Sequence, residues 1–339
     1  MNSIEKIRCL FEHREASVPW IEIAVDELLI AKEARIPIPA YALESIQPFD
    51  ISWDNKVAFA KRIGLDALGL YHWEAFGSTK DETRPVIRNT PHILTRSDLP
   101  KLVIPTLTLE DVYPEVRRAR AAIGDSGIAL FVEFATSLEF AVSDMGFINL
   151  CQQLVDDPLF VEEVLARYAA YTSSLVSLYN SIPEIDFIWI GDDLAYKSGP
   201  FFSPAMLRRH IFPYFRQVVD RIEKPWIFHS DGELGLIMRD IISWGPRAIH
   251  PLEGDTARLL QYKQEYGAEV GLIGNLSVDL LGRGSPAEVI KESRALLESA
   301  SIGGGYGFAS GNSIARSARL ENILAMSKTL RDFNQEHYS

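Results

Sequence analysis

Trp226-Ile227-Phe228-His229-Ser230-Asp231-Gly232 sets an imidazole and a carboxylate directly after a short apolar run. A continuous apolar run with no polar alternation is the pattern of a parallel strand covered by helices on both faces. Four other runs end in polar groups in the same way. Residues 187–190 lead into Gly191-Asp192-Asp193, 247–249 into His250-Pro251-Leu252-Glu253, 270–273 into Gly274-Asn275, and 305–309 into Ser310-Gly311-Asn312. The runs 18–23, 67–71 and 128–134 bring the count to eight; the second leads into His72-Trp73-Glu74, and the third carries Glu133 near its end. The recurrence of polar groups at strand ends points to one shared site.

Helix signals lie between these runs. Ser203-Pro204 opens 205–221, Gly232 opens 233–244, and Ser285-Pro286-Ala287-Glu288 is a capping box with proline at the first helical position. Eight strand–helix units, with no Gly-x-Gly-x-x-Gly after any strand, predict an α/β fold of the (β/α)8 TIM-barrel type rather than a doubly wound dinucleotide fold. The reading is a single domain over 1–339, with the long proline-containing connection 73–124 forming an excursion over the barrel mouth. Function in such barrels sits where the strands end. Gly303-Gly304-Gly305 precedes the last strand instead of linking a strand to a helix, so it reads as close backbone passage and not as a phosphate cradle.

Composition narrows the partners. The 339 residues carry a formal net charge of -12 and are 47% hydrophobic. An acidic chain disfavours nucleic acid and anionic membrane, so a small-molecule substrate is expected. Cys9 and Cys151 are too few for a disulfide framework, and the start of the chain lacks the long apolar stretch of a signal or anchor. A cytoplasmic protein is expected.

At this point the residues resemble a family. The opening 4–20, the stretch Gly191-Asp192-Asp193-Leu194-Ala195-Tyr196-Lys197-Ser198-Gly199-Pro200, then Ser203-Pro204, Phe212-Pro213-Tyr214, His229-Ser230-Asp231-Gly232, Gly274-Asn275-Leu276 and Ser310-Gly311-Asn312-Ser313-Ile314 are similar to the uroporphyrinogen decarboxylase superfamily, which also contains cobalamin-dependent methyltransferases. The resemblance implies a (β/α)8 barrel with its site in the mouth, and it makes a homodimer an expectation.

Departures from the family's motifs separate its two activities. Decarboxylases of the family carry an arginine-rich segment that grips substrate carboxylates; the matching stretch here, Val18-Pro19-Trp20-Ile21-Glu22-Ile23-Ala24-Val25-Asp26-Glu27, has acids in place of arginines. Each close like-charge pair with a polycarboxylate costs about 4 kcal/mol at an effective dielectric of about 20. The aspartate that the family places after the second strand is absent from Leu70-Tyr71-His72-Trp73-Glu74. Methyltransferases of the family hold zinc with a His-x-Cys pair and a later cysteine. By resemblance these positions fall on His229, Asp231 and Asn312, so a nitrogen and oxygen set replaces two thiolates. Such a set still accepts zinc and tolerates harder divalent cations.

The leading expectation is therefore transfer of a methyl group from a small methylated substrate to a corrinoid protein. The corrinoid, by resemblance alone, arrives on a separate partner. His229 and Asp231 are the expected ligands of a divalent metal, with zinc the first candidate. Glu253, His250 or the pair Asp192 and Asp193 complete the shell. Tyr196 or Lys197 holds a substrate carboxylate or serves as acid, and His72, Glu74, Glu133, Asn275, Ser310 and Asn312 contact substrate. Decarboxylation of a carboxylated tetrapyrrole is the alternative, and a non-catalytic binding subunit the second. Plainer roles stand beside these: His229 with Asp231 as a hydrogen-bonded pair fixing a loop, Asp192 and Asp193 as a helix cap, and the asparagines as residues suited to tight turns.

Overall fold

The computed structural model describes residues 1–39, 51–72 and 91–338. Its strands are β1 (Ala67–His72), β2 (Ala129–Ala135), β3 (Phe187–Gly191), β4 (Ala195–Tyr196), β5 (Gly199–Pro200), β6 (Trp226–His229), β7 (Ala248–His250), β8 (Gly271–Ile273) and β9 (Tyr306–Gly307). Seven of them form one curled sheet in the order β1-β2-β3-β6-β7-β8-β9, every neighbouring pair parallel. Strands β4 and β5 make a small antiparallel hairpin that the sequence did not announce. Among the described residues, no helix is long and apolar enough to cross a membrane.

Both faces of the sheet are buried, which explains the apolar runs. On β3, Phe187 and Trp189 point to the inner face and pack on Phe131, with ring centroids 5.2 Å apart in both Phe131 contacts. Ile188 and Ile190 point the other way into the layer of helices. The helix Ser3–Phe11 covers the starting ends of the strands: Ile7 and Leu10 join the inner cluster, and Phe11 meets Phe187 edge-on at 5.8 Å. One end of the sheet is thus sealed with apolar side chains, and the polar residues lie at the other end.

The run 18–23, expected as the first strand, does not form a regular strand. Pro19 has no N–H to give to a ladder. The segment still hydrogen-bonds to both edges of the sheet: the Ile21 N–H donates to Phe308 O at 3.1 Å, the Phe308 N–H to Pro19 O at 2.9 Å, and the Asp66 N–H to Trp20 O at 2.8 Å. The Asp66 side chain, 3% exposed, accepts from the Trp20 N–H at 2.8 Å, from Ser3 Oγ at 2.6 Å and from Lys6 Nζ at 3.0 Å.

Two helix readings need correction. The segment after Ser203-Pro204 is interrupted: Pro204–Met206 passes through one π turn at Leu207–Ile211 before Phe212–Val219. Gly232 opens no helix. It has φ 88°, and a Cβ there would lie 2.5 Å from the Ala195 carbonyl; the helix starts only at Met238 after a short turn. The capping box at Ser285 forms as read, opening Pro286–Ala300. Gly304 and Gly305, both at positive φ, pass directly against His13 and Arg14. Residues 73–90, on which most of the expected excursion falls, lie outside the described residues. The described remainder of that connection packs on the outer layer, where Arg167 Nη1 donates to Leu99 O at 3.0 Å and Arg96 pairs with Asp157.

Replacing Asp66 with alanine leaves the buried Trp20 N–H without its acceptor and frees the segment that joins the sheet's two edges. Asp66→Ala is expected to lower unfolding free energy by roughly 1–3 kcal/mol in urea denaturation, with Asp66→Asn costing less. Equal stability of Asp66→Ala and the wild type would contradict this role.

Candidate metal centre

The last residues of β6 and β7, His229 and His250, stand opposite each other, and Gly191 at the end of β3 stands opposite His229 on its other side. Parallel register therefore delivers the polar residues that follow each strand to one place. Asp193, two residues past β3, turns its carboxylate toward His229, with Oδ1 3.8 Å from Nε2; Asp231 brings Oδ1 to 3.7 Å from the same nitrogen. One ligand-type atom from each of Asp193, His229 and Asp231 lies within 4.8 Å of the others. The Asp231 N–H donates to Asp193 Oδ1 at 2.9 Å, which ties the two loops together.

The electrostatics of the cluster favour a cation. Asp231 is pushed up to about 7, first by burial and then by the negative charges of Asp193 and Glu253, while the Asn312 amide, donating to Oδ2 at 2.7 Å, pulls it down. Its Oδ1 is buried with no hydrogen-bond partner. Burial lowers the pKa of His229, so the ring is neutral and has a lone pair to offer. Glu139 adds another acid: burial and the charge of Asp193 push it up to about 7, although it accepts the Asp193 N–H. A divalent ion bound at about 2.0–2.2 Å in a tetrahedral set needs ligand atoms about 3.4 Å apart. The observed 3.7 and 3.8 Å are within side-chain adjustment, so the three donors fit a divalent cation.

Other expected site residues take different places. Asp192 is 1% exposed and its carboxylate is used by the helix Ser137–Met145, accepting from Thr136 Oγ1 and from the N–H groups of Leu138 (3.4 Å) and Glu139 (2.7 Å). Glu253 stands outside the triad, accepting the Gly232 N–H at 3.0 Å, with Lys197 Nζ 3.8 Å away. Tyr196 is 63% exposed on the hairpin. Asn275 donates to Leu252 O at 3.0 Å and holds the loop after β7. His250 lies behind His229, Nδ1 to Nδ1 at 2.8 Å. Strand alternation turns Tyr71 into the cavity and His72 outward, where it meets the Tyr179 ring with centroids 5.4 Å apart. Glu74 lies outside the described residues.

Two cavities meet at this cluster. One, of about 500 Å³, has an apolar wall that includes Ile23, Val25 and Leu28 and reaches Glu133, Asp193, His229 and Asp231. Its size falls within the range of about 300–1,000 Å³ common for small-molecule sites. The other, of about 770 Å³, holds Lys197, Glu253 and Asn275; Asp231, Asn312 and Ser313 line both. The cations of the first cavity are committed to acids, Lys56 to Glu27 at 2.6 Å and Arg316 to Asp26 at 2.9 Å.

Glu22 was missed as a site residue. It is 2% exposed, lines the first cavity, and accepts from Trp20 Nε1 (2.7 Å), the Ser310 N–H (2.9 Å) and Ser310 Oγ (2.6 Å), so Ser310 serves it directly. Its signal was visible in Ile21-Glu22-Ile23, one carboxylate inside an apolar run.

The sequence matches the uroporphyrinogen decarboxylase (URO-D) family over residues 59–333, and the chain belongs to that family. No curated protein matches it. Among solved structures it is similar to a methyltransferase from Methanosarcina mazei, at 17% identity and TM-score 0.74, covering 98% of this chain and 99% of that one. It also matches a GH30 endoxylanase from Clostridium papyrosolvens C71 at 11% identity and TM-score 0.45, covering 84% of this chain and 68% of that one. A D-psicose 3-epimerase from Clostridium cellulolyticum H10 matches at 12% identity and TM-score 0.42, covering 86% and 96%. The first likeness shows a shared fold.

Burial pushes Glu22 up to about 7 from 4.5, against the pull of its Ser310 and Trp20 donors. A raised folded-state value means that this group's stability contribution is fully present below about pH 4.5 and is lost as pH rises through about 7, a change on the order of 3 kcal/mol. Glu22→Gln keeps the acceptor oxygen and is expected to remove that decline in urea denaturation between about pH 5 and 8. A variant with the wild-type slope would contradict the assignment.

Proposed function

We propose that the protein is a metal-dependent methyltransferase of the URO-D family, built as one (β/α)8 barrel in which residues 18–23 act as the eighth strand. The observation that carries the reading is the convergence of Asp193, His229 and Asp231, with a buried Asp231 oxygen that has no hydrogen-bond partner. Asp193 takes the third position, for which the sequence offers Glu253, His250 or the pair Asp192 and Asp193. A divalent ion held there supplies a Lewis acid that polarises the heteroatom from which a methyl group departs.

The chain's own groups arrange the rest. The apolar wall of the first cavity holds the body of a small methylated substrate against the triad. Asn312 fixes Asp231, and Glu133 and Glu22 line the same cavity. The bonding pair would stay on the substrate heteroatom, which would take up a proton, and a reduced, nucleophilic corrinoid carried by a separate protein would supply the electron pair that accepts the methyl group. The second cavity, on the far side of Asp231, is the approach we assign to that acceptor. A polycarboxylated tetrapyrrole is a poor fit, because Lys56 and Arg316 are both engaged by acids and the remaining ionisable side chains of the first cavity are acids, Tyr71 and His229.

Elemental analysis of the untagged protein, beside folded His229→Ala and Asp231→Asn variants, tests the reading. Near-stoichiometric metal in the wild type, lost in both variants, is expected. Binding should be weaker at pH 6 than at pH 8, because protons compete for Asp231. A metal-dependent transfer from methyl ethers, methanol or methylamines to cob(I)alamin is the accompanying assay. Wild-type protein that stays empty after zinc and cobalt are offered would overturn the proposal.

A further inference from the structure

His229 and His250 face each other across β6 and β7, with their Nδ1 atoms 2.8 Å apart. Two ring nitrogens at that distance share a single proton, one donating and the other accepting. The other nitrogen of His229, Nε2, is the atom that faces Asp193 and Asp231. A nitrogen that binds a metal carries no proton. A neutral imidazole has only one N–H, so on His229 it sits at Nδ1 and is donated to His250 Nδ1. His250 then carries its own proton at Nε2.

His250 is buried against the aromatic floor of the site, and its Nε2 has no hydrogen-bond partner. It is 0% exposed, its ring meets Trp189 edge-on at 5.0 Å with an interplanar angle of 84°, and its carbonyl accepts the Ser230 N–H at 3.1 Å.

We propose that His250 is the positioning residue of the metal centre: its Nδ1 accepts the His229 N–H, and so fixes the tautomer and ring plane that aim Nε2 between the two carboxylates. This inference rests on the metal reading above. The outer partner of a ligand histidine is usually a carboxylate, a carbonyl or water. A neutral imidazole gives the same orientation without charge. A carboxylate in place of His250 would instead add a buried negative charge to a cluster that already holds Glu139 and Glu253 beside Asp193 and Asp231.

The test compares His250→Phe, which keeps ring bulk against Trp189 but offers no acceptor, with His250→Gln, which returns one. Zinc and cobalt affinities are measured by chelator competition, with near-UV circular dichroism and thermal melting as checks on folding. The Phe variant is expected to bind metal about 10- to 100-fold more weakly, and the Gln variant to recover part of that loss. Long-range proton–nitrogen spectra of the metal-loaded wild type are expected to show His229 protonated at Nδ1 and His250 at Nε2. If the wild type binds metal and His250→Phe binds it within about twofold, the positioning role is overturned and the metal reading stands; a His229 protonated at Nε2 in the loaded protein overturns the positioning role and removes His229 from the ligand set as well. Wild-type protein that binds no ion overturns both. Should His250→Phe fail to fold, the nitrogen spectrum of the wild type decides the matter.

Discussion

Seven strands running in one direction must end on one rim, and the site depends on that constraint. Each parallel pair carries its neighbour's final residue to the same height, so His229, His250 and the residues just past Gly191 become neighbours although they are far apart in the chain. The starting ends are closed by Ile7, Leu10 and Phe11, which leaves the other end to carry polar groups. The aromatic inner face of Phe131, Phe187 and Trp189 then serves as a stiff floor beneath the histidine pair.

On that floor, charge is concentrated in a way a folded protein tolerates poorly by itself. Asp193, Asp231, Glu139 and Glu253 act on one another, and the rise of Asp231 and Glu139 to about 7 reflects both burial and this repulsion. Surface carboxylates would relax into water. These are held by backbone donors, the Asp231 N–H on Asp193 and the Gly232 N–H on Glu253, so the repulsion is built in. A bound divalent cation relieves it, and the work of assembling the cluster becomes binding energy for the ion.

The sequence made legible what depends on local pattern. Apolar runs gave the strands, and the Ser285 box gave a helix start, because both follow from chemistry within a few residues. It did not show which of two adjacent residues faces the site. Asp192 and Asp193 are chemically identical, yet one caps the helix at Ser137 and the other turns to His229. Tyr71 and His72 differ by the phase of a strand, which no run of apolar residues reports. Pro19 breaks the ladder of an otherwise strand-like run at 18–23, and Gly232 follows a strand as a helix opener would, although its task is close passage against Ala195. Glu253, His250 and the Asp192-Asp193 pair stay equivalent in the sequence because strand-end spacing cannot tell which loop folds back over the mouth.

The central claim is that one imidazole and two carboxylates hold a metal where the family's methyltransferases use thiolates. X-ray absorption at the metal edge of zinc- or cobalt-loaded protein addresses the ligand set directly. The account predicts a shell of nitrogen and oxygen at about 2.0–2.2 Å with a single imidazole's outer-shell scattering and no sulfur. A shell containing sulfur at about 2.3 Å, or two or more imidazoles on the ion, would contradict it.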